Sequence, residues 1–333
     1  MTAQTVLTRP SARRISIFNH KGGVGKTTLT FNVATAVASL GKRVLLVDSD
    51  PQCNLTAYLI DGEVVDDLLD HSDDTEGKTI WSALKPVAEA TGLVHQVAPI
   101  ELPNGGVFLV PGDIRLSDFE AELNDFWAQC LQRKVRGYNG TTALSGLISN
   151  LCRQFQIDFV FYDSGPNIGP LNRAILLDCD YFVVPVACDL FSVRALKTLG
   201  RTLATWIAEW QTILSLAPEG TYLLPGQPKF LGYILQNFSM YRGDFASQHA
   251  KFLPMIDRGI REDVIAVLKK VQPKAPAISG PKLGEVKNFG SLVTASQREG
   301  VPLQEVSAGT NQQRQSAKTA FNAIAQRIVE RTA

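Results

Sequence analysis

An α/β fold, with a mostly parallel β-sheet covered by helices on both faces, is predicted by three features of the 333-residue sequence. Strand-like and helix-like runs alternate along the chain. Nearly every strand-like run is unbroken and apolar ("RISIFN", "RVLLVDSD", "GVFLVPGD", "YFVVPV", "FLGYILQN"), as expected of strands buried on both faces. Finally, the glycine-rich "FNHKGGVGKTT", Phe18 to Thr28, stands where the first strand should turn into the first helix.

Residues 1–13 read as a polar, flexible lead-in, and 14–333 as one domain. "RISIFN" opens the sheet. "KTTLTFNVATAVASLG" is the first helix, with Leu29, Val33, Val37 and Leu40 at helical spacing and Gly41 placed to end it. "RVLLVDSD" closes a β-α-β unit of the right-handed crossover kind. Asp61 to Glu76 carries eight acids and no Lys or Arg, which predicts a solvated loop and helix face. "GVFLVPGD" is a strand, "LSDFEAELNDFWAQCL" a helix, and "TTALSGLISNLCRQF" a helix leading into the strand "IDFVFYD". "YFVVPV" and "FLGYILQN" follow as strands. From about Asn311, Ala317, Phe321, Ile324, Ile328 and Val329 share one face of a closing helix. Looser insertions are expected near 61–80, 127–140, 215–228 and 242–288.

Composition narrows the function classes. With 45% hydrophobic and 20% charged residues and a net charge of +1, the chain is an ordinary globular mix. Any nucleic-acid surface must then be a local patch. No apolar run approaches the roughly 20 residues needed to span a bilayer. The start lacks the apolar segment of a secretory signal, and the five cysteines form no C-x-x-C pair. Reduced thiols and a cytoplasmic location are the expectation.

The loop carries the chemistry. Glycines let a backbone approach phosphate without Cβ clashes, and a helix N-terminus adds partial positive charge. Gly22, Gly23, Val24, Gly25, Lys26, Thr27 and Thr28 suit that cradle. Lys26 would neutralise the β- and γ-phosphates, and the Thr27 hydroxyl would reach Mg²⁺. The ordinary pattern wants glycine at position 20. Here His20 stands, with Lys21 beside it, giving K-G-G-x-G-K-[ST]. A second lysine at the entrance has no obvious duty toward its own phosphates. Opposite a partner's γ-phosphate it would act like an arginine finger in trans, a device worth roughly 10³–10⁵ in rate.

"KGGVGKTT", "VLLVDSDPQCNLT", "VFLVPGDIRLSDFEAEL", "FVFYDSGPNIGPLNRAILLDCDYFVVPV" and the ending "REGVPLQEV…QSAKTAFNAIAQRI" occur in this order. Over residues 14–331 the chain thereby resembles the ParA-type ATPases of the ParA/MinD deviant Walker-A group, within the P-loop NTPases. The resemblance implies ATP and Mg²⁺ as cofactors and a homodimer that sandwiches two ATP molecules. It makes Lys21 the lysine that crosses to the partner, so Lys21, Lys26 and Asp50 form the catalytic set.

Asp48 and Asp50 end a strand two residues apart and so face one side. By the resemblance Asp50 positions the attacking water and Asp48 supports the Mg²⁺ shell. Asp163 ends "DFVFYD" in the Walker-B form, so Thr27, Asp48 and Asp163 are the metal candidates. "DSGPN" departs from the family's commoner "DCPP", which leaves the geometry of that loop open. Asn237 matches the position that contacts adenine. Residues 251–300 hold nine Lys or Arg against five Asp or Glu. Lys287 and Arg298 lie nearest the region where the family binds DNA without sequence preference. The resemblance thus implies DNA partition with a ParB-like or other activating partner, and association with the nucleoid if DNA is bound. A membrane-targeting tip of the MinD type is not expected, because the C-terminal helix has one aromatic, no Trp and no Leu, and its apolar face suits packing on the sheet. A regulatory or defence-associated ATPase that controls a protein partner without DNA cargo is the alternative.

Overall fold

In the computed structural model the described residues are 11–103, 105–237 and 244–333, those at 237 and 244–250 by backbone alone. The strands are β1 (Arg13–Ile17), β2 (Val44–Ser49), β3 (Ile100–Glu101), β4 (Val107–Val110), β5 (Phe159–Ser164), β6 (Tyr181–Ala187), β7 (Lys229–Asn237) and β8 (Lys282–Lys287). They form one sheet in the order β3-β4-β2-β5-β1-β6-β7-β8. Every neighbouring pair is parallel except β3 with β4. The predicted fold class is therefore the observed one.

The apolar runs sort by alternation onto two faces. Ile15, Leu46, Phe161 and Val183 pack with Leu29, Phe31 and Val33 of the helix Lys26–Ala38 and with Phe321 and Ile324 of the helix Asn311–Thr332. Leu45, Val47, Val160 and Tyr162 face the other way, onto Trp81, Phe119, Leu147 and Ile175. On that same side Phe182, Val184 and Leu235 pack against Leu199, Trp206 and Trp210 of the helix Leu190–Leu216.

Several local expectations change. The first helix stops at Ala38, so Leu40 lies past it and is 39% exposed instead of joining the buried face. Gly41, at φ +80°, completes the turn that follows. Residues 127–140 lie mostly in two helices, Leu116–Leu131 and Val135–Gln154. The acidic stretch, as expected, is a solvated helix face, Gly62–Asp70 capped by Asp61, followed by turns to Glu76. Segment 242–288 contributes a helix Asp244–Gly259, a π-helical turn Ile260–Ile265, a helix Ala266–Val271 and the sheet strand β8. Among the described residues no helix is long and apolar enough to cross a membrane.

Candidate functional site

The order places β1 between β5 and β6, with β2 beyond β5. The crossover from β1 runs to β2 on one side and the crossover from β5 runs to β6 on the other, so a crevice opens at the carboxyl ends of these central strands, where open α/β sheets bind ligands. The glycine-rich loop fills its floor. Gly23 and Gly25 adopt φ of +71° and +66°, backbone that other L-residues rarely take. A Cβ at Gly25 would also lie 3.1 Å from Gln236 Oε1, so the end of β7 closes on the loop. Asn19 fixes the loop's entrance: its Nδ2 donates to Pro185 O (2.8 Å), and its Oδ1 accepts from Lys21 N (3.0 Å). Gly22 and Gly23 are exposed, while Val24 and Lys26 are buried.

Asp48 and Asp163 sit opposite each other on β2 and β5. Both are buried. Burial pushes Asp163 up to about 8, with Asp48 adding to the rise and Thr27 and Lys26 opposing it. Burial likewise pushes Asp48 up to about 6 against the hydrogen bonds from Thr56. Lys26 is shifted below its ordinary value by desolvation, which Asp163 and Asp50 partly offset.

The two carboxylates are partnered differently. Asp48 Oδ2 accepts from Thr56 N (2.8 Å) and Thr56 Oγ1 (2.7 Å), and its Oδ1 accepts from Asp50 N (3.3 Å). Asp163 Oδ1 has a long contact from Thr30 Oγ1 (3.4 Å), whereas Asp163 Oδ2 is buried with no hydrogen-bond partner. An orphaned buried carboxylate oxygen is costly unless something outside the chain satisfies it. Thr27 stands beside it, so the pair fits a hard cation with oxygen ligands. Among the described residues no group of three or more His, Cys, Asp or Glu is set to cage a metal. Asp50 is 7% exposed, accepts from Gln52 N at 3.0 Å, and lies close against Gly165, where a Cβ would come within a tight 3.2 Å of Asp50 Oδ1.

The structure therefore brings Lys26, Thr27, Asp48, Asp50 and Asp163 together. Lys21 points elsewhere: its Nζ lies 2.5 Å from Asp189 Oδ2 and 3.0 Å from Ser192 Oγ. The backbone of Asn237 pairs with Lys287 at the end of β7, while its side chain lies outside the described residues. A cavity of about 110 Å³ opens there, lined by Gly25, Thr28, Gln236, Asn288 and Phe289. Lys287 and Arg298 are both exposed, and Arg298 pairs with Glu299 at 3.1 Å. Sequence reasoning did not find Thr56, Gln236, Asp189 or Ser192. Only Asp189 left a signal, as an N-cap residue followed three positions later by Ser192.

The family described as AAA domain matches residues 12–216. Chromosome partitioning protein ParA of Caulobacter vibrioides is 32% identical over 191 residues, 57% of this chain and 62% of that protein. Sporulation initiation inhibitor protein Soj of Bacillus subtilis is 31% identical over 190 residues, 57% of this chain and 64% of Soj. The chain thus spans less than two thirds of the length of these curated relatives. Among solved structures, a Corynebacterium diphtheriae protein gives a TM-score of 0.72 at 26% identity, covering 96% of this chain and 98% of its own. A putative plasmid partition protein of Borrelia burgdorferi, bound to AMPPNP, shares the fold with a TM-score of 0.59 at 16% identity, covering 96% and 98%.

Proposed function

The chain belongs to the AAA-domain family, and within it to the ParA-type P-loop ATPases, and from that membership we propose that it is an ATP-hydrolysing dimerisation switch of the partition or positioning kind. The observation that carries the reading is the orphaned Asp163 Oδ2 beside Thr27 and the buried Lys26, at the head of a loop whose glycines take left-handed backbone. In this reading the N–H groups of residues 22–28 and the Lys26 ammonium hold the phosphates of ATP. Thr27 and Asp163 hold Mg²⁺, which when bound neutralises the phosphate charge. Asp48, engaged by Thr56 and Asp50, orders the carboxylate pair and supports the metal shell indirectly. Asp50 accepts a proton from, or aligns, the water that attacks the γ-phosphate. The base extends toward the cavity beside Gln236 and Asn237. Lys21 serves the partner's site in the ATP-bound homodimer.

The test is Asp50→Ala with Mg²⁺-ATP. Phosphate contacts remain and water alignment is lost, so the variant should bind ATP, hydrolyse it hardly at all and accumulate as a dimer in sedimentation. A monomer under those conditions counts against the sandwich. A mixed dimer of Lys21→Ala and Lys26→Ala chains should recover hydrolysis above either parent, because one site regains both lysines.

We further propose ATP-dependent, sequence-independent DNA binding through Lys287 and Arg298, in support of which both side chains are exposed. Affinity should fall with log[salt] at a slope near about −0.9 per phosphate contacted. Charge reversal at both positions should flatten the slope without altering ATP binding. A salt-insensitive complex would favour a switch acting on a protein partner alone.

A further inference from the structure

Lys21 is held within its own chain. Its ammonium donates to Asp189 Oδ2 (2.5 Å) and to Ser192 Oγ (3.0 Å). Asp189 is itself fixed, because its Oδ1 caps the helix Leu190–Leu216 by accepting from Ser192 N at 2.8 Å. The Lys21 backbone is fixed too, through Asn19 Oδ1, and Asn19 is tied to Pro185 near the end of β6. Both ends of the ion pair are therefore anchored at the end of β6, one through Pro185 within the strand and the other just after it. Burial works against the charge of Asp189, but the ammonium of Lys21 and the N–H of Ser192 hold its carboxyl below the usual range. The pair is partly open, at 26% exposure for the Lys21 side chain and 38% for that of Asp189. Next to it Leu190 and Phe191 are 41% and 71% exposed. The Lys21 ammonium carries one positive charge and already spends two of its three donors on Asp189 and Ser192, so a phosphate on another chain competes with Asp189 for it.

We propose that Asp189 is an intrachain latch for Lys21, a competing anion that keeps the lysine docked until a partner's nucleotide outbids it. This rests on the reading in which Lys21 acts in trans. The latch sets how much nucleotide-loaded protein is needed before dimers form, and lets the lysine re-dock when the γ-phosphate leaves. Its strength suits a switch. A partly exposed ion pair is weak enough for a phosphate to replace, and removing it should ease dimerisation by only about two- to fivefold. A fully buried pair would not let go.

Asp189→Asn isolates the charge, since asparagine caps a helix about as well as aspartate. Two measurements apply, each on the full chain. In the first, the rate at which an acylating reagent modifies Lys21 in monomeric protein is read by peptide mass spectrometry. The rate should rise in Asp189→Asn, as the amine loses its carboxylate, and an unchanged rate overturns the latch. In the second, the protein concentration for half-dimerisation with Mg²⁺ and a non-hydrolysable ATP analogue is compared in native, Asp189→Asn, Lys21→Ala and double-variant protein. The latch predicts easier dimerisation for Asp189→Asn, weaker dimerisation for Lys21→Ala, and no gain when Asp189→Asn is added to Lys21→Ala. A gain in the double variant would mean that a negative charge was simply removed from the interface, which overturns the latch. Dimerisation of Asp189→Asn that is native or poorer, alongside a Lys21→Ala defect, overturns the latch while leaving the trans lysine intact. Native dimerisation of Lys21→Ala overturns both.

Discussion

Two buried ionic clusters lie within one residue of each other on β5, and the chain treats them in opposite ways. Tyr162 faces the cluster around Arg14, whose guanidinium is fully buried and donates to Asp178 Oδ2 (2.5 Å), Ser145 Oγ (2.9 Å) and Ser149 Oγ (2.6 Å). Asp178 also accepts from Tyr162 (2.7 Å) and Ser145 (2.6 Å). One cation meets one anion, and hydroxyls fill most of the remaining valences, with Arg14 Nε left buried and unpartnered. Asp163 faces the other side, with Asp48 across from it, Asp50 close by, Lys26 as the nearby cation and one carboxylate oxygen left unpartnered. A charge-balanced cluster walled in by helices specifies packing. One with three carboxylates around a single lysine, at a crevice, awaits a ligand. Burial and an orphaned atom do not tell them apart, since each has both, whereas the balance of charge does.

The largest effect that sharpens this contrast is at the cluster by the crevice. Lys26→Ala should cut ATP turnover by about 10³-fold or more, in the range seen for losing a cation or donor at a reacting phosphoryl or oxyanion. Its thermal stability without nucleotide should stay near native. Turnover at the native rate would remove the loop from the mechanism.

Next is the charge-balanced cluster. Asp178→Asn strands the buried Arg14 charge and should cost about 3–5 kcal/mol in chemical denaturation. If Asp178→Asn is as stable as native, the supposed difference between the clusters fails.

Asp163→Asn is the matched experiment one face away. It removes a carboxyl whose ionisation burial and Asp48 disfavour, so nucleotide-free stability should hold or rise. The stabilisation by saturating Mg²⁺-ATP should be lost, roughly 2.7 kcal/mol at a hundredfold excess over Kd. Thermal shift with and without Mg²⁺-ATP reads both quantities at once.

A remaining effect is in pH. Asp163 is raised to about 8 in the fold, above the roughly 3.9 of an unfolded aspartate. The folded chain therefore holds the extra proton between those values, and its contribution is complete at low pH and lost as pH rises toward 8. The Tm of nucleotide-free native protein should fall relative to Asp163→Asn between pH 5 and 8. Mg²⁺ should bind better as pH rises, releasing a proton. A difference that grows in the opposite direction would place the carboxylate in its ionised form.

Much of this was legible in the chain itself. The unbroken apolar runs predict buried parallel strands, and the helix Leu116–Leu131 begins and ends where the sequence pattern does. Local patterns also locate Lys26, Thr27, Asp50 and Asp163, because a loop binding phosphate needs glycine, lysine and hydroxyl at fixed spacing. What stayed hidden depends on distant partners. β8 reads "KLGEVK", too polar to be recognised as a strand, and is one because β7 offers it an edge and helix Asn311–Thr332 covers it. Thr56 lies eight residues from Asp48 and meets it only because the chain turns back after β2. The contact between Lys21 and Asp189 spans 168 positions, and no local periodicity encodes it.

The alternation along β5 has a consequence for how this chain tolerates change. Tyr162 and Asp163 are neighbours in sequence, yet one points to a structural cluster and the other to the nucleotide crevice. A library covering 159–164 should therefore return two interleaved profiles. Substitutions at 160 and 162 would deplete cellular abundance, while those at 163 would leave abundance near normal and deplete activity. Adjacent codons would thus be filtered by different pressures, and a drifting lineage could retune the crevice without revisiting the packing behind it.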